Sequence, residues 1–139
     1  MEKYKVIVDT NLWISLLIGK RLAELRDLCN SGRVAVYICD ELLEEFTRIS
    51  ARDKIRKYAA DERVVQTLEL IKASCITAHT GRRVVASGLR DVNDLYLLAL
   101  AENIPADFIL TGDKDLLSLQ THHQTKIVTF NEFKAIIEE

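Results

Sequence analysis

The stretch that most constrains this chain is Lys5-Val6-Ile7-Val8-Asp9-Thr10-Asn11. Three β-branched apolar residues run into an acid, then into small polar residues that open a new apolar run. This reads as a buried strand ending in Asp9, with Thr10 or Asn11 capping a helix. Open α/β sheets build their sites at the carboxyl ends of strands. The question is which other segments bring partners to Asp9.

With 139 residues the chain suits one domain, residues 1–139, with a real core. Its net charge of −2 excludes a global basic footprint. A nucleic-acid partner would have to rely on local basic residues or on metal in an acidic pocket. Cys29, Cys39 and Cys75 are odd in number, far apart and in apolar contexts. That pattern predicts reduced thiols in a cytoplasmic protein. No signal peptide and no apolar run near ~18 residues is visible, so neither secretion nor membrane spanning is expected.

Strand and helix signals alternate along the chain. Leu12 to Ile18 is apolar except for Ser15, Leu22 to Cys29 has helical spacing, and Gly32 ends that helix. Val34 to Cys39 is a second strand, with Asp40 predicted to cap the helix that follows. Helical pattern continues through Tyr58 and from Asp61 to Ala73. Cys75 to Ala78 is a third strand, and His79 to Arg90 reads as a loop. Asp91-Val92-Asn93-Asp94 opens the helix Leu95 to Ala101, stopped by Asn103 and Pro105. Asp107 to Leu110 and Lys126 to Thr129 are strands four and five, and Asn131 is predicted to cap a last helix. His122 and His123 fall in a polar segment read as a loop. The alternation predicts a parallel sheet with helices on both faces. If strands two and three lie on one side of strand one and strand four on the other, the order is 3-2-1-4-5. Asp9 and Asp113 then meet at the switch point.

Four groups of acids carry the chemistry. Asp9 ends strand one. In the helix after strand two, Leu42, Leu43, Phe46 and Ile49 define the apolar face. At about 100° per residue Glu44 lies about 170° from its centre, Glu41 about 130° and Glu45 about 90°. Glu45 is therefore the one placed to rim a crevice, though Glu44 adjoins it. In Asp91-x-x-Asp94, Asp91 has the position of a cap and Asp94 that of an inward first-turn residue. Thr111-Gly112-Asp113-Lys114-Asp115 follows strand four. Each acid alone has a bland reading as a cap, a turn residue or a solvated face. Clustered, they resist ionisation unless a cation sits among them. Oxygen-only donors favour Mg²⁺ or Mn²⁺ over Zn²⁺, and carboxylate-held metal is equipment for phosphodiester hydrolysis.

Val8-Asp9-Thr10-Asn11, Glu45 after Cys39-Asp40-Glu41-Leu42-Leu43, Arg90-Asp91-x-x-Asp94 leading into Leu98-Ala99-Leu100-Ala101, and Leu110-Thr111-Gly112-Asp113-Lys114-Asp115-Leu116 together resemble the PIN-domain family. The likeness runs in order over about residues 4 to 134. It is nearest to stand-alone prokaryotic members described as toxins of toxin–antitoxin pairs. The resemblance implies a three-layer α/β/α fold with a five-stranded parallel sheet. It implies a Mg²⁺- or Mn²⁺-dependent endoribonuclease acting on RNA, often a homodimer and often held by a small antitoxin. By position it places metal ligands at Asp9, Glu45, Asp94 and Asp113, supporting polar residues at Asn11 and Thr111, and secondary acids at Asp91 and Asp115.

Basic residues that could meet RNA phosphates are Arg52, Arg56, Lys57, Arg90 and Lys114, with Arg48, Lys54, Arg82 and Arg83 nearby. Little aromatic interleaving accompanies them, so no base specificity is expected. Two other readings compete. A non-catalytic PIN-like interaction module would lack a working site. A phosphoryl-accepting domain of the receiver or haloacid-dehalogenase kind would use Asp9 as the acceptor. The latter motif wants a second Asp where this chain has Asn11, and the receiver's acid arrangement is missing.

Overall fold

The computed structural model describes residues 3–81 and 95–138. Asp91, Asp94, Arg82, Arg83 and Arg90, with most of the expected loop before them, lie outside these residues. The order is β1 (Tyr4–Val8), α1 (Thr10–Ile18), α2 (Leu22–Asn30), β2 (Val34–Ile38), α3 (Asp40–Ser50), α4 (Asp53–Arg56), α5 (Asp61–Ser74) and β3 (Ile76–Thr77). Then come α6 (Leu95–Asn103), β4 (Phe108–Leu110), α7 (Lys114–Leu119), β5 (Thr121–His122), β6 (Thr125–Val128) and α8 (Phe130–Ile137).

Among the described residues six strands pair in the order β3-β2-β1-β4-β6-β5. The first five are parallel throughout and keep the order expected from topology, flanked by helices in a three-layer α/β/α arrangement. The expected five-stranded sheet is corrected to six. Thr121–His122 forms an antiparallel edge on β6, pairing Thr121 with Lys126 and His122 with Thr125. Two residues with polar side chains carry no hydrophobic alternation, so nothing in the local sequence marks them as strand. Their pairing follows from the tight turn at His123, whose φ is +54°.

Val6, Ile7 and Val8 are fully buried, as a central strand of a covered parallel sheet requires. α1 packs against α2, α3 and α5. Leu97 to Ala101 of α6 are all buried, as its nearly continuous apolar sequence demands. At the amino ends of the strands Tyr4, Phe108 and Phe133 meet edge to face, with centroids 5.1 to 6.5 Å apart, and this seats α8 on β1 and β4. No helix among the described residues is long and apolar enough to cross a membrane.

Three caps differ from expectation. Asp9 itself caps α1, its carboxylate accepting from the Asn11 N–H at 3.4 Å, while Thr10 and Asn11 lie inside the helix. The Asp9 N–H still bonds the Leu110 carbonyl at 2.9 Å, so Asp9 is both the last extended residue and the first cap. Asp40 stands in the first turn of α3, with extended Cys39 at the cap position. Thr129, not Asn131, caps α8, through a reciprocal capping box with Glu132.

Candidate active site

The register of β1 and β4 builds the site. Val8 pairs with Leu110, so the next residues, Asp9 and Thr111, leave the sheet side by side at its carboxyl edge. Thr111 Oγ1 donates to Asp9 Oδ2 at 2.7 Å and accepts from the Asp113 N–H at 3.0 Å. Asp113 then caps α7, its Oδ1 accepting from the Asp115 and Leu116 amides at 2.7 and 3.4 Å. Asp9 and Asp113, expected as neighbours, are bridged by Thr111, which makes the direct contact to Asp9.

Asp9 is 1% exposed. Burial raises its pKa above the ordinary 3.8. The Thr111 and Asn11 hydrogen bonds pull it down, and the neighbouring charges of Glu45 and Asp113 push it up again. Three of the four expected ligands thus share one electrostatic field.

Glu45 arrives from α3. Leu42 and Phe46 are fully buried on one side of that helix, while Glu41 and Glu44 are exposed. The Glu45 side chain retains 16% exposure, on the flank that helical geometry assigns it. Tyr96 Oη donates to Glu45 Oε1 at 2.9 Å and lies 3.0 Å from Thr10 Oγ1. A carboxylate only accepts, so the tyrosine proton points to Glu45 and the Thr10 hydroxyl donates to the tyrosine oxygen. Burial, with the nearby negative charge of Glu45, drives the Tyr96 phenol well above its ordinary range despite the opposing Thr10 bond. It therefore remains a donor. Arg48 Nη2 stands 3.9 Å from Glu45 Oε2.

Two hydrogen-bond chains thus leave the first turn of α1: Asp9–Thr111–Asp113 and Thr10–Tyr96–Glu45. Tyr96 and the positioning role of Thr10 escape sequence reasoning. The available signal was one tyrosine in an otherwise aliphatic buried helix, whose hydroxyl needs a partner.

Asn11, Leu12, Ser15, Gly112 and Asp113 line a cleft of about 270 Å³ beside this cluster. A larger cleft, of about 490 Å³, opens at the opposite edge near Lys3, Lys5 and Asp107, away from Asp9, Glu45 and Asp113. Asp115 and Lys114 are exposed on the first turn of α7. Arg52 and Lys57 are exposed beyond the far end of α3, and Arg56 is tied to Asp61. The three thiols are free, and burial pushes Cys39 up to about 11 and Cys75 up to about 12. None is prepared as a nucleophile.

An ionised Asp9 weakens the metal-free protein. Its folded pKa lies above its unfolded one, so between the two values the folded state holds the extra proton. The metal-free protein therefore loses stability as pH rises from about 3.8 through the raised value, and the loss is constant above it. In chelator, the urea midpoint of wild type is expected to fall relative to that of Asp9→Asn over this range. Parallel profiles would show that Asp9 carries no such strain.

The donor chemistry fits a hard divalent cation. A buried carboxylate, two further carboxylates in its field and hydroxyl supports are all oxygen donors. Among the described residues, the group of three donors whose ligand atoms all lie within 4.8 Å of one another is a different one, Glu102, His122 and His123. Residues 5–115 match the family model of the PIN domain. An uncharacterized protein of Methanocaldococcus jannaschii is 29% identical over 125 residues, spanning 88% of this chain and 79% of its own length.

Proposed function

Because the chain belongs to the PIN-domain family, generally a nuclease fold, we propose that it is a Mg²⁺- or Mn²⁺-dependent endoribonuclease. The observation that supports this most is Asp9. It is a carboxylate buried at the switch point of a parallel sheet, with Glu45 and Asp113 in its field. Asp9, Glu45 and Asp113 would hold the ion, with Asp94 from outside the described residues. A bound divalent ion supplies an acidified, aligned water and neutralises the charge on the leaving oxygen of the phosphodiester.

The protein's own groups do the rest. Thr111 holds one Asp9 oxygen in place. Tyr96 fixes one oxygen of Glu45, and the other, Oε2, stands 3.9 Å from Arg48 Nη2. A carboxylate not fully engaged accepts the proton of the attacking water. Lys114, exposed next to Asp113, would meet an incoming phosphate, with exposed Arg52 and Lys57 as further candidates. In biological terms the reading is the cytoplasmic toxin of a toxin–antitoxin pair, a homodimer restrained by a small antitoxin. A short upstream reading frame encoding a DNA-binding antitoxin would support it.

Incubation with structured and unstructured RNA tests the activity. Cleavage is expected with Mg²⁺ or Mn²⁺ and none with chelator, and chelator-resistant cleavage at the same rate would reject the metal-dependent reading. The two adjacent glutamates separate in the same assay. Glu45→Gln is expected to lower kcat/KM by about 100-fold, a typical loss for a charge that meets the transition state. Glu44→Gln, on the solvent face, should stay within about twofold. A larger loss in Glu44→Gln than in Glu45→Gln would move the site to the other face of α3.

A further inference from the structure

A second group of donors lies at the other pole of the sheet. Glu102 stands in the last turn of α6, and His122 and His123 end β5 and open the turn into β6. β6 runs parallel to β4, and Thr125 and Gln124 sit by the amino end of β4. Thr125 Oγ1 donates to the Ala106 carbonyl at 2.7 Å and Gln124 Nε2 to the Pro105 carbonyl at 2.9 Å. Asp9 and Thr111 leave the carboxyl ends of β1 and β4. The two groups are thus separated by the length of the sheet, and this inference does not depend on the nuclease reading.

We propose that Glu102, His122 and His123 form a binding site for a divalent transition metal of the zinc class. His122 Nε2 lies 3.0 Å from Glu102 Oε2, and His123 Nε2 lies 3.6 Å from Glu102 Oε1. The three ligand atoms all fall within 4.8 Å of one another, so small side-chain rotations would bring them to the roughly 3.4 Å separation of donors around a tetrahedral ion. Both imidazoles face one carboxylate although they are consecutive in the chain. Successive side chains on a strand point to opposite faces. Here His123 has left its strand and stands at φ +54°, which turns its ring back until the two centroids are 4.6 Å apart. That backbone region favours glycine over any residue with a β-carbon, yet an imidazole occupies it.

The donors are held before any ion arrives. Besides the Thr125 and Gln124 bonds, the Lys126 N–H bonds the Asp107 carbonyl and the Ile127 N–H bonds the Gln120 carbonyl, each at 2.9 Å. Glu102 and His122 side chains are 9% and 13% exposed, whereas His123 is 66% exposed. The site is walled on one side and open on the other, so a water can complete the coordination. Two imidazoles and one carboxylate suit Zn²⁺ or its Co²⁺ and Ni²⁺ neighbours, whereas Mg²⁺ prefers oxygen alone. Once bound, the ion staples the end of α6 to the β5–β6 hairpin. α6 is the helix whose first turn carries Tyr96, so the staple restrains the element that orients Glu45.

Zn²⁺ titration of the full chain by calorimetry, in excess Mg²⁺ to occupy oxygen-only sites, tests the proposal. Wild type and Asp9→Asn are each expected to bind one Zn²⁺ per chain, and Co²⁺ in place of Zn²⁺ should give the visible absorption of a nitrogen-containing low-coordinate site. His123→Gly, which suits the left-handed backbone and keeps the turn, is expected to lose at least about tenfold in affinity, as is His122→Ala. Thermal melts give a second readout: Zn²⁺ should raise Tm in wild type and in Asp9→Asn but not in His123→Gly. Absence of saturable Zn²⁺ binding in excess Mg²⁺, or wild-type affinity in His123→Gly and His122→Ala, would overturn it and leave the three residues as a hydrogen-bonded group.

Discussion

Asp9→Asn is expected to reduce RNA cleavage in Mg²⁺ by on the order of 1,000-fold or more, with the fold retained. Asparagine has the same shape and is as good a helix cap as aspartate; with its one oxygen on the Asn11 N–H, as Asp9 Oδ1 is at 3.4 Å, its amide nitrogen can donate to the Thr111 hydroxyl, which donates to Asp9 Oδ2 at 2.7 Å in the native site. What it lacks is the negative charge at the centre of the site. Without metal that charge is unfavourable, because burial and the charges of Glu45 and Asp113 all oppose it. The chain keeps an acid there at a cost to its own stability, which is the pattern of a functional residue. Single-turnover cleavage, with circular dichroism and a thermal melt on the same sample, decides the matter. A variant that is folded and cuts RNA at the wild-type rate would remove Asp9 from the chemistry.

The second large effect is on stability. Phe46→Ala is expected to cost about 3–5 kcal/mol, the usual range for emptying an aromatic site in a packed core. For a domain of this size that corresponds to a fall in Tm of about 10–15 °C. Phe46 is completely buried and anchors α3, which packs on α1. Small domains hold a total of only about 5–15 kcal/mol, so this single side chain carries a sizeable fraction of it. The contrast with Glu45→Gln is informative because the residues are adjacent. Glu45 is a rim residue with one phenol partner, so its neutralisation should leave the melt nearly unchanged while removing activity. Phe46→Ala should move the melt first, and activity through the altered seat of α3. A melt shift below about 1 kcal/mol for Phe46→Ala would mean that α3 is not anchored as described.

The five parallel strands were legible because each is a short apolar run bounded by polar or helix-starting residues. Their order followed from the handedness of crossovers. The edge strand at Thr121–His122 was not legible, since two polar residues paired by a turn leave no periodic trace. Caps were misplaced by one or two residues at Thr10, Asp40 and Asn131. Several adjacent polar residues can each serve as a cap, and only the backbone path selects among them. Asp9, Glu45 and Asp113 were legible as acids at strand ends and on a helix flank. Asp94 and Asp91 lie outside the described residues. Tyr96 was missed, because its role depends on a hydroxyl meeting groups 51 and 86 positions away.

The sequence by itself determined the alternating architecture, the acid at the end of the first strand and the helix face from which Glu45 projects. These depend on periodicity and on the chemistry of neighbours along the chain, which are local. Tertiary structure alone decided that Thr111 rather than Asp113 touches Asp9, that Tyr96 holds Glu45, and that two consecutive histidines converge on Glu102. Each of these depends on strand register, on helix packing or on one left-handed turn, and such distances are set by the whole fold.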